Sequence, residues 1–133
     1  MRYMLDTDIC VYFSRGTSQR VLSRVSGCVP GDLVISAVTY GELYFGAEKS
    51  AQATPAFQAL DEFTEAVPVV PLDKQVGDYY GKFRLYLQKK GKIIGNNDLW
   101  IASHCLQLGL TLVTNNEREF SRIPNLRIEN WTQ

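Results

Sequence analysis

The side chains of this sequence that could do chemistry are acids from segments far apart in the chain. Four of them stand out: Asp6, Glu42, Asp98 and Glu119. A cluster of such carboxylates repels itself unless a cation neutralises it. Because oxygen ligands suit hard ions, the donor set favours Mg²⁺ or Mn²⁺ over zinc. The chemistry that fits is phosphodiester hydrolysis, in which the metal activates the attacking water and stabilises the leaving oxygen.

Other common hydrolase sites lack their essential residues in this chain. His104 is the only histidine, and it lies more than one helical turn from Asp98. A Ser-His-Asp or Cys-His triad therefore has no suitable base, and a ribonuclease with paired histidines is excluded by count. The cysteines are scattered among apolar residues, as reduced core cysteines of a cytoplasmic protein are. They are Cys10, Cys28 and Cys105.

Short apolar runs alternate with amphipathic segments along the chain. The apolar runs predict strands at 3–5, 33–35, 67–71, 110–113 and 126–128, and the segments between them predict helices. Continuous apolar runs are typical of strands that are buried on both faces. The pattern predicts one α/β domain over residues 1–133, with a parallel sheet that carries helices on both faces.

The strand ends explain how four distant acids could meet. In an open parallel sheet, ligand-binding residues gather past the carboxyl ends of the strands. Asp6 follows the first strand, Glu119 follows the strand at 110–113, and the other two acids lie near helix starts that can reach the same edge. Each acid also has a simpler interpretation as a helix cap, a dipole residue or a solvated acid. Nearby polar residues that could contact the ligands are Asp8, Thr114 and Asn116.

The overall composition does not by itself indicate a nucleic-acid ligand. The 14 acidic residues balance the 14 basic ones, so binding to RNA would depend on a local patch. The helix predicted at 73–90 carries basic residues on and just beyond its outer face, which could hold phosphates or simply be solvated. They are Lys82, Arg84, Lys89, Lys90 and Lys92. No apolar run is long enough to span a membrane and no signal core precedes Asp6, so we expect a cytoplasmic protein.

Four segments, taken together, resemble the PIN-domain ribonucleases of the VapC toxin family. They read MLDTDIC at 4–10, TYGEL at 39–43 followed by GA at 46–47, IGNNDLWIA at 94–102, and LVTNN at 112–116 followed by REF at 118–120. The resemblance runs nearly end to end, in matching order and spacing. It implies a PIN-like three-layer α/β/α fold with a central, mostly parallel sheet of four to five strands. It also implies endonucleolytic cleavage of RNA that depends on Mg²⁺, for which Mn²⁺ can substitute.

The same resemblance implies partners and roles for particular residues. The expected partners are a second copy of the chain, in a homodimer, and a VapB-type antitoxin that docks an extended segment over the acidic site in a hetero-oligomer. Asp6, Glu42 and Asp98 fall on the three core acids of the family. Many relatives have asparagine at the position of Asp8 and aspartate at that of Asn116, so Glu119 or Asn116 would complete the fourth position. The run at 114–120 is similar to that of toxins that cut initiator tRNA in the anticodon loop.

Two other functions compete with a nuclease. A haloacid-dehalogenase-type phosphatase would use Asp6 as covalent nucleophile and Asp8 as acid and base. That chemistry needs a lysine and further aspartates after the strand that ends at Thr114, and the chain lacks both. A degenerate PIN module would bind RNA or antitoxin without cleavage. Asn116 favours this interpretation, whereas the retained core acids oppose it.

Overall fold

A five-stranded parallel sheet forms the centre of the protein, in a computed structural model that describes all 133 residues. The strands are β1 (Tyr3–Leu5), β2 (Leu33–Ser36), β3 (Val69–Val70), β4 (Thr111–Val113) and β5 (Arg127–Glu129). The helices are α1 (Thr7–Arg15), α2 (Gln19–Ser26), α3 (Ala37–Glu48), α4 (Ala53–Ala66), α5 (Lys74–Lys90), α6 (Asn96–Leu108) and α7 (Glu117–Phe120). The strand order is β3-β2-β1-β4-β5, and every neighbouring pair is parallel.

Two hydrophobic clusters cover the opposite faces of this sheet. Successive residues of a strand point to opposite faces, so Met4 belongs to one cluster and Tyr3 and Leu5 to the other. The Met4 cluster is completed by α5 and α6, and the Leu5 cluster by α1 and α2. The result is a layer of helices on each side of the sheet, which confirms the predicted three-layer α/β/α architecture.

The path of the chain creates a crevice at one edge of the sheet. From β1 the chain moves outwards through β2 to β3, then returns to the other side of β1 to form β4 and β5. Ligands of open α/β sheets bind where the strand order reverses in this way, past the carboxyl ends of the strands. In this protein that point lies after Leu5 and Val113, and the backbone N–H of Asp6 donates to the Val113 carbonyl at 2.9 Å across it.

Local details differ from the sequence prediction in ways that have physical causes. The helix expected from Asp98 begins at Asn96, and Gly95 rather than an asparagine side chain precedes it at the N-cap. The strand expected at 67–71 shrinks to two residues at the edge of the sheet, because Pro68 and Pro71 cannot donate to a ladder. No helix combines the length and the apolar character needed to cross a membrane.

Candidate active site

Asp6 lies at the crevice, directly after β1, and both of its carboxylate oxygens accept hydrogen bonds. The backbone N–H of Thr7 donates to Oδ1 at 2.8 Å, which makes Asp6 the N-cap of α1. The Thr114 hydroxyl, at the end of β4, donates to Oδ2 at 2.7 Å. Asp6 is only 5% exposed. Burial and the neighbouring charge of Asp8 raise its pKa to about 7.

Asp8 occupies the first turn of α1 beside Asp6. The backbone N–H of Asn115, in the segment after β4, donates to Asp8 Oδ2 at 3.1 Å. The other oxygen, Oδ1, is buried and has no hydrogen-bond partner. Burial raises the pKa of Asp8. An orphaned carboxylate oxygen among other acids is the kind of position that a cation would satisfy.

Glu42 reaches the crevice from the first half of α3, and a hydroxyl of α1 holds it. Thr7 Oγ1 donates to Glu42 Oε1 at 2.6 Å and lies 3.3 Å from the hydroxyl of the buried Thr39. The sequence analysis gave Thr7 no role at the site. Its position between Asp6 and Asp8 was the available signal, because a residue between two strand-end acids is placed at the same edge.

Asp98 stands in the first turn of α6, above a buried stripe that includes Ala102 and Cys105. Its pKa is raised to about 6, first by burial and then by the charges of Glu119 and Glu42. These charge effects mean that acids from α3, α6 and α7 lie near one another. No three of the acids are already close enough to form a preassembled coordination group.

The segment after β4 adds Asn116 and Glu119 to this neighbourhood. The backbone N–H of Asn116 donates to Thr114 Oγ1 at 2.9 Å, and its side-chain Nδ2 donates to Glu119 Oε2 at 3.1 Å. Thr114 is therefore a link between the Asp6 carboxylate and the start of this segment. Asn116 and Glu119 are not alternatives in separate places but a hydrogen-bonded pair.

A polar network that the sequence analysis missed supports Asn115 from the C-terminus. The side-chain Oδ1 of Asn115 accepts hydrogen bonds from Asn130 Nδ2 at 3.0 Å and Thr132 Oγ1 at 3.2 Å, and the side-chain Nδ2 of Asn115 donates to the Tyr12 hydroxyl at 3.2 Å. The chain after β5 thus supports the residue that holds Asp8. Nothing in the local pattern of residues 130–132 indicates such a contact, because it depends on tertiary folding.

His104 lies away from this arrangement, in agreement with its exclusion as a catalytic base. It is buried, its Nδ1 lies 2.8 Å from Ser36 Oγ, and burial lowers its pKa. The basic residues predicted on and after α5 are all exposed. They are Lys82, Arg84, Lys89, Lys90 and Lys92.

The chain is similar to known proteins in both its sequence and its fold. A family model described as the PIN domain matches residues 3–126. Ribonuclease VapC1 of Haemophilus influenzae (strain R2866) is 42% identical over 134 residues, which cover 100% of both chains. The tRNA(fMet)-specific endonuclease VapC of Shigella flexneri is 35% identical over 132 residues, which cover 99% of each chain. The solved structure of VapBC-1 from nontypeable Haemophilus influenzae superimposes with a TM-score of 0.92 at 42% identity, covering 100% of both chains.

Proposed function

We propose a function for this chain from the premise that it belongs to the PIN-domain family and, within it, to the VapC ribonucleases. The membership confirms the resemblance found in the sequence. It makes the chain a ribonuclease toxin of a VapBC toxin-antitoxin system, and it favours a nuclease over the phosphatase alternative. PIN-domain nucleases generally use a divalent metal ion.

We infer that the chain is a magnesium-dependent endoribonuclease whose metal ligands are Asp6, Glu42, Asp98 and Glu119. The observation that carries the inference is the mutual repulsion of acids from separate segments, which helps to raise the pKa of Asp98 to about 6. The unpartnered buried oxygen of Asp8 indicates the same shortage of positive charge. Because the donors are all oxygens, they suit Mg²⁺, and Mn²⁺ would be able to substitute.

The side chains of the site act as ligands and orienting groups rather than as nucleophiles. The metal, when bound, supplies the Lewis acid that activates water and stabilises the leaving oxygen. Each oxygen of Asp6 accepts one hydrogen bond, which fixes the carboxylate and leaves further lone pairs for a cation. Thr7 orients Glu42, and Asn116 orients Glu119 through its amide N–H. We therefore assign Glu119 as the fourth ligand and Asn116 as the residue that positions it.

We propose tRNA as the substrate, with the anticodon loop of initiator tRNA as the cleavage site. The similarity to a relative named as tRNA(fMet)-specific supports this target. A loop also suits the location of the acids, because the scissile phosphate must reach half-buried carboxylates in a crevice, which a continuous duplex does less readily.

The proposed assembly follows from the VapBC complex that superimposes on the chain. We propose that residues 1–133 form one PIN domain, that two copies form a homodimer, and that a VapB-type antitoxin binds them in a hetero-oligomer. The extended end of that antitoxin would cover the acidic crevice. Reduced buried cysteines at Cys10 and Cys105 fit a cytoplasmic location for this assembly.

An RNA cleavage assay tests the proposed function. Refolded, antitoxin-free protein is incubated with total RNA in the presence of Mg²⁺, with EDTA in place of Mg²⁺, and as the Asp98→Asn variant. We expect cleavage only by the wild type with Mg²⁺, and mapping of the cut ends should place them in a tRNA loop. Asp61→Asn, an exposed acid on α4, is the matched control and should cleave normally. The absence of cleavage by folded wild-type protein would favour the degenerate, non-cleaving module.

A further inference from the structure

A surface groove beside α7 collects positive charge that the candidate active site does not use. It lies between the end of α5, the loop that follows and the segment from α7 onwards, and its volume is about 600 Å³. No acidic residue lines it. The basic residues that line it are Lys90, Lys92, Arg118 and Arg122.

None of these four cations is neutralised within the protein. The two salt bridges of the structure involve Arg2 and Arg24, neither of which lines the groove. Arg122 donates Nη1 to the Ile93 carbonyl at 2.9 Å, which ties the loop after α5 to the segment after α7 and leaves the guanidinium charge in place. The chain has zero net charge, yet this groove holds four positive charges without an acidic partner. These charges repel each other, and a bound polyanion would remove the repulsion.

Aromatic and apolar surface lies among the charges. Tyr86 is 37% exposed and Ile93 is 67% exposed, and both line the groove. Lys90 Nζ lies 5.7 Å from the centre of the Tyr86 ring. Cations that follow a phosphate backbone, together with aromatic surface on which bases can stack, are typical of sites for single-stranded nucleic acid. An acidic protein segment would use the charges but would have less use for the exposed ring.

The groove and the candidate active site share α7. Arg118 precedes Glu119 in that helix, and Arg122 lies four residues beyond Arg118. The buried side chains of Phe120 and Ile123 anchor this segment in the core, so the backbone that carries the cations and the acid is held in place. We propose that the groove binds the backbone of the single-stranded RNA segment next to the scissile phosphate. This assignment rests on the proposed ribonuclease function.

The structure thereby divides the basic residues that the sequence singled out. Lys90 and Lys92 line the groove, whereas Lys82, Arg84 and Lys89 do not. Arg84 instead donates Nη1 to the Tyr80 hydroxyl at 3.1 Å, on a ring that the Trp100 ring stacks against. Under this proposal, the end of α5 contacts the RNA and the rest of its outer face does not.

Binding of RNA by cleavage-deficient protein tests the groove separately from catalysis. In an Asp98→Asn background, we compare the triple variant Lys90→Gln, Lys92→Gln, Arg118→Gln with the unchanged background, using fluorescence anisotropy of a short labelled single-stranded RNA. We expect the Kd to rise at least about tenfold near 0.1 M salt, and the salt slope of log Kd to fall by about 0.7 for each lost phosphate contact. All three side chains are exposed, so the variant should fold normally.

The matched control removes the same amount of charge from α5, outside the groove. It carries Lys74→Gln, Lys82→Gln and Lys89→Gln, which are all exposed residues of α5, and its Kd should change less than about twofold. The proposal is overturned if both triple variants weaken binding equally, if the groove variant binds as tightly as the background, or if a polyaspartate peptide displaces the RNA as well as unlabelled RNA does. The anisotropy assay measures binding and not cleavage, so it separates the two proposals. If the wild-type protein bound RNA through the groove but did not cleave it, the proposed ribonuclease function would be refuted and the groove proposal would stand.

Discussion

Asp6 and Asp98 bind protons more tightly in the folded protein than an exposed aspartate does. Burial is the main cause for both, and neighbouring acids add to it. A raised pKa means that the folded protein disfavours the charged form of the carboxyl group. The same two residues are proposed metal ligands, and a bound cation would reverse the effect by favouring their charged forms.

The metal-free protein should therefore lose stability as the pH rises through the window set by Asp6. Its pKa is 3.8 when unperturbed and about 7 in the fold, so between these values the folded state holds more protons than the unfolded state. Stability then falls with rising pH, and the loss is complete above about pH 7. Asp98, with a folded pKa of about 6, adds to the fall below that pH. Each kcal/mol lost should lower the Tm by roughly 3–5 °C for a chain of this size.

Scanning calorimetry in EDTA measures this effect. Because other carboxylates titrate in the same range, the informative quantity is the Tm of Asp98→Asn minus that of the wild type. That difference should grow as the pH rises from about 4 to about 6 and then level off, since the amide cannot ionise. The same measurement on Asp61→Asn, an exposed acid on α4, controls for the loss of one carboxylate. A difference that shrinks with rising pH would mean that the fold stabilises the Asp98 carboxylate, contrary to our account.

At the scale of elements, the site depends on contacts that join one secondary-structure element to another. Thr7 connects α1 to α3 through Glu42, and Thr114 connects β4 to Asp6. Such contacts hold the carboxylates in defined positions although neighbouring acids repel each other. Residues that orient metal ligands typically affect metal affinity by about 10- to 100-fold.

The Thr7 hydroxyl offers a clean test of these contacts. Thr7→Val keeps the shape of the side chain but removes the donor to Glu42, which lies 2.6 Å away. The Mg²⁺ concentration that gives half-maximal cleavage should rise about tenfold or more. Thr7→Ser retains the hydroxyl and should behave nearly as the wild type does. If Thr7→Val needed no more Mg²⁺ than the wild type, or if Thr7→Ser were as impaired as Thr7→Val, the hydrogen bond to Glu42 would not be what the site requires.

Sequence reasoning located the acids because they follow local rules, and it missed what depends on folding. Asp6 directly follows a buried strand and Asp98 heads a stripe of small residues, and both features can be read from the local sequence. Thr7 and Glu42 are separated by 35 positions in the chain, and no local pattern encodes the hydrogen bond between them. Arg118 and Arg122 lie on and after a four-residue helix, too short for any face to be recognised, so the groove could not be predicted.

At the scale of the whole molecule, topology does most of the positioning. The reversal of strand order next to β1 places the ends of β1 and β4 side by side, which gathers residues separated by more than 100 positions. Helix layers on both faces fix these ends from either side. The basic groove extends the same region towards the end of α5. The acidic crevice and the groove together would hold a phosphate at the metal and the adjoining backbone beside it.

Titration of Mn²⁺ into metal-free protein by calorimetry tests the central claim most directly, because it asks whether the convergent acids hold a cation without reference to cleavage. We predict saturable binding by the wild type and by Asp61→Asn, and a loss of at least about tenfold in affinity in both Asp98→Asn and Glu42→Gln. Binding that is unchanged in these two variants, or no saturable binding by the folded wild type, would contradict the account.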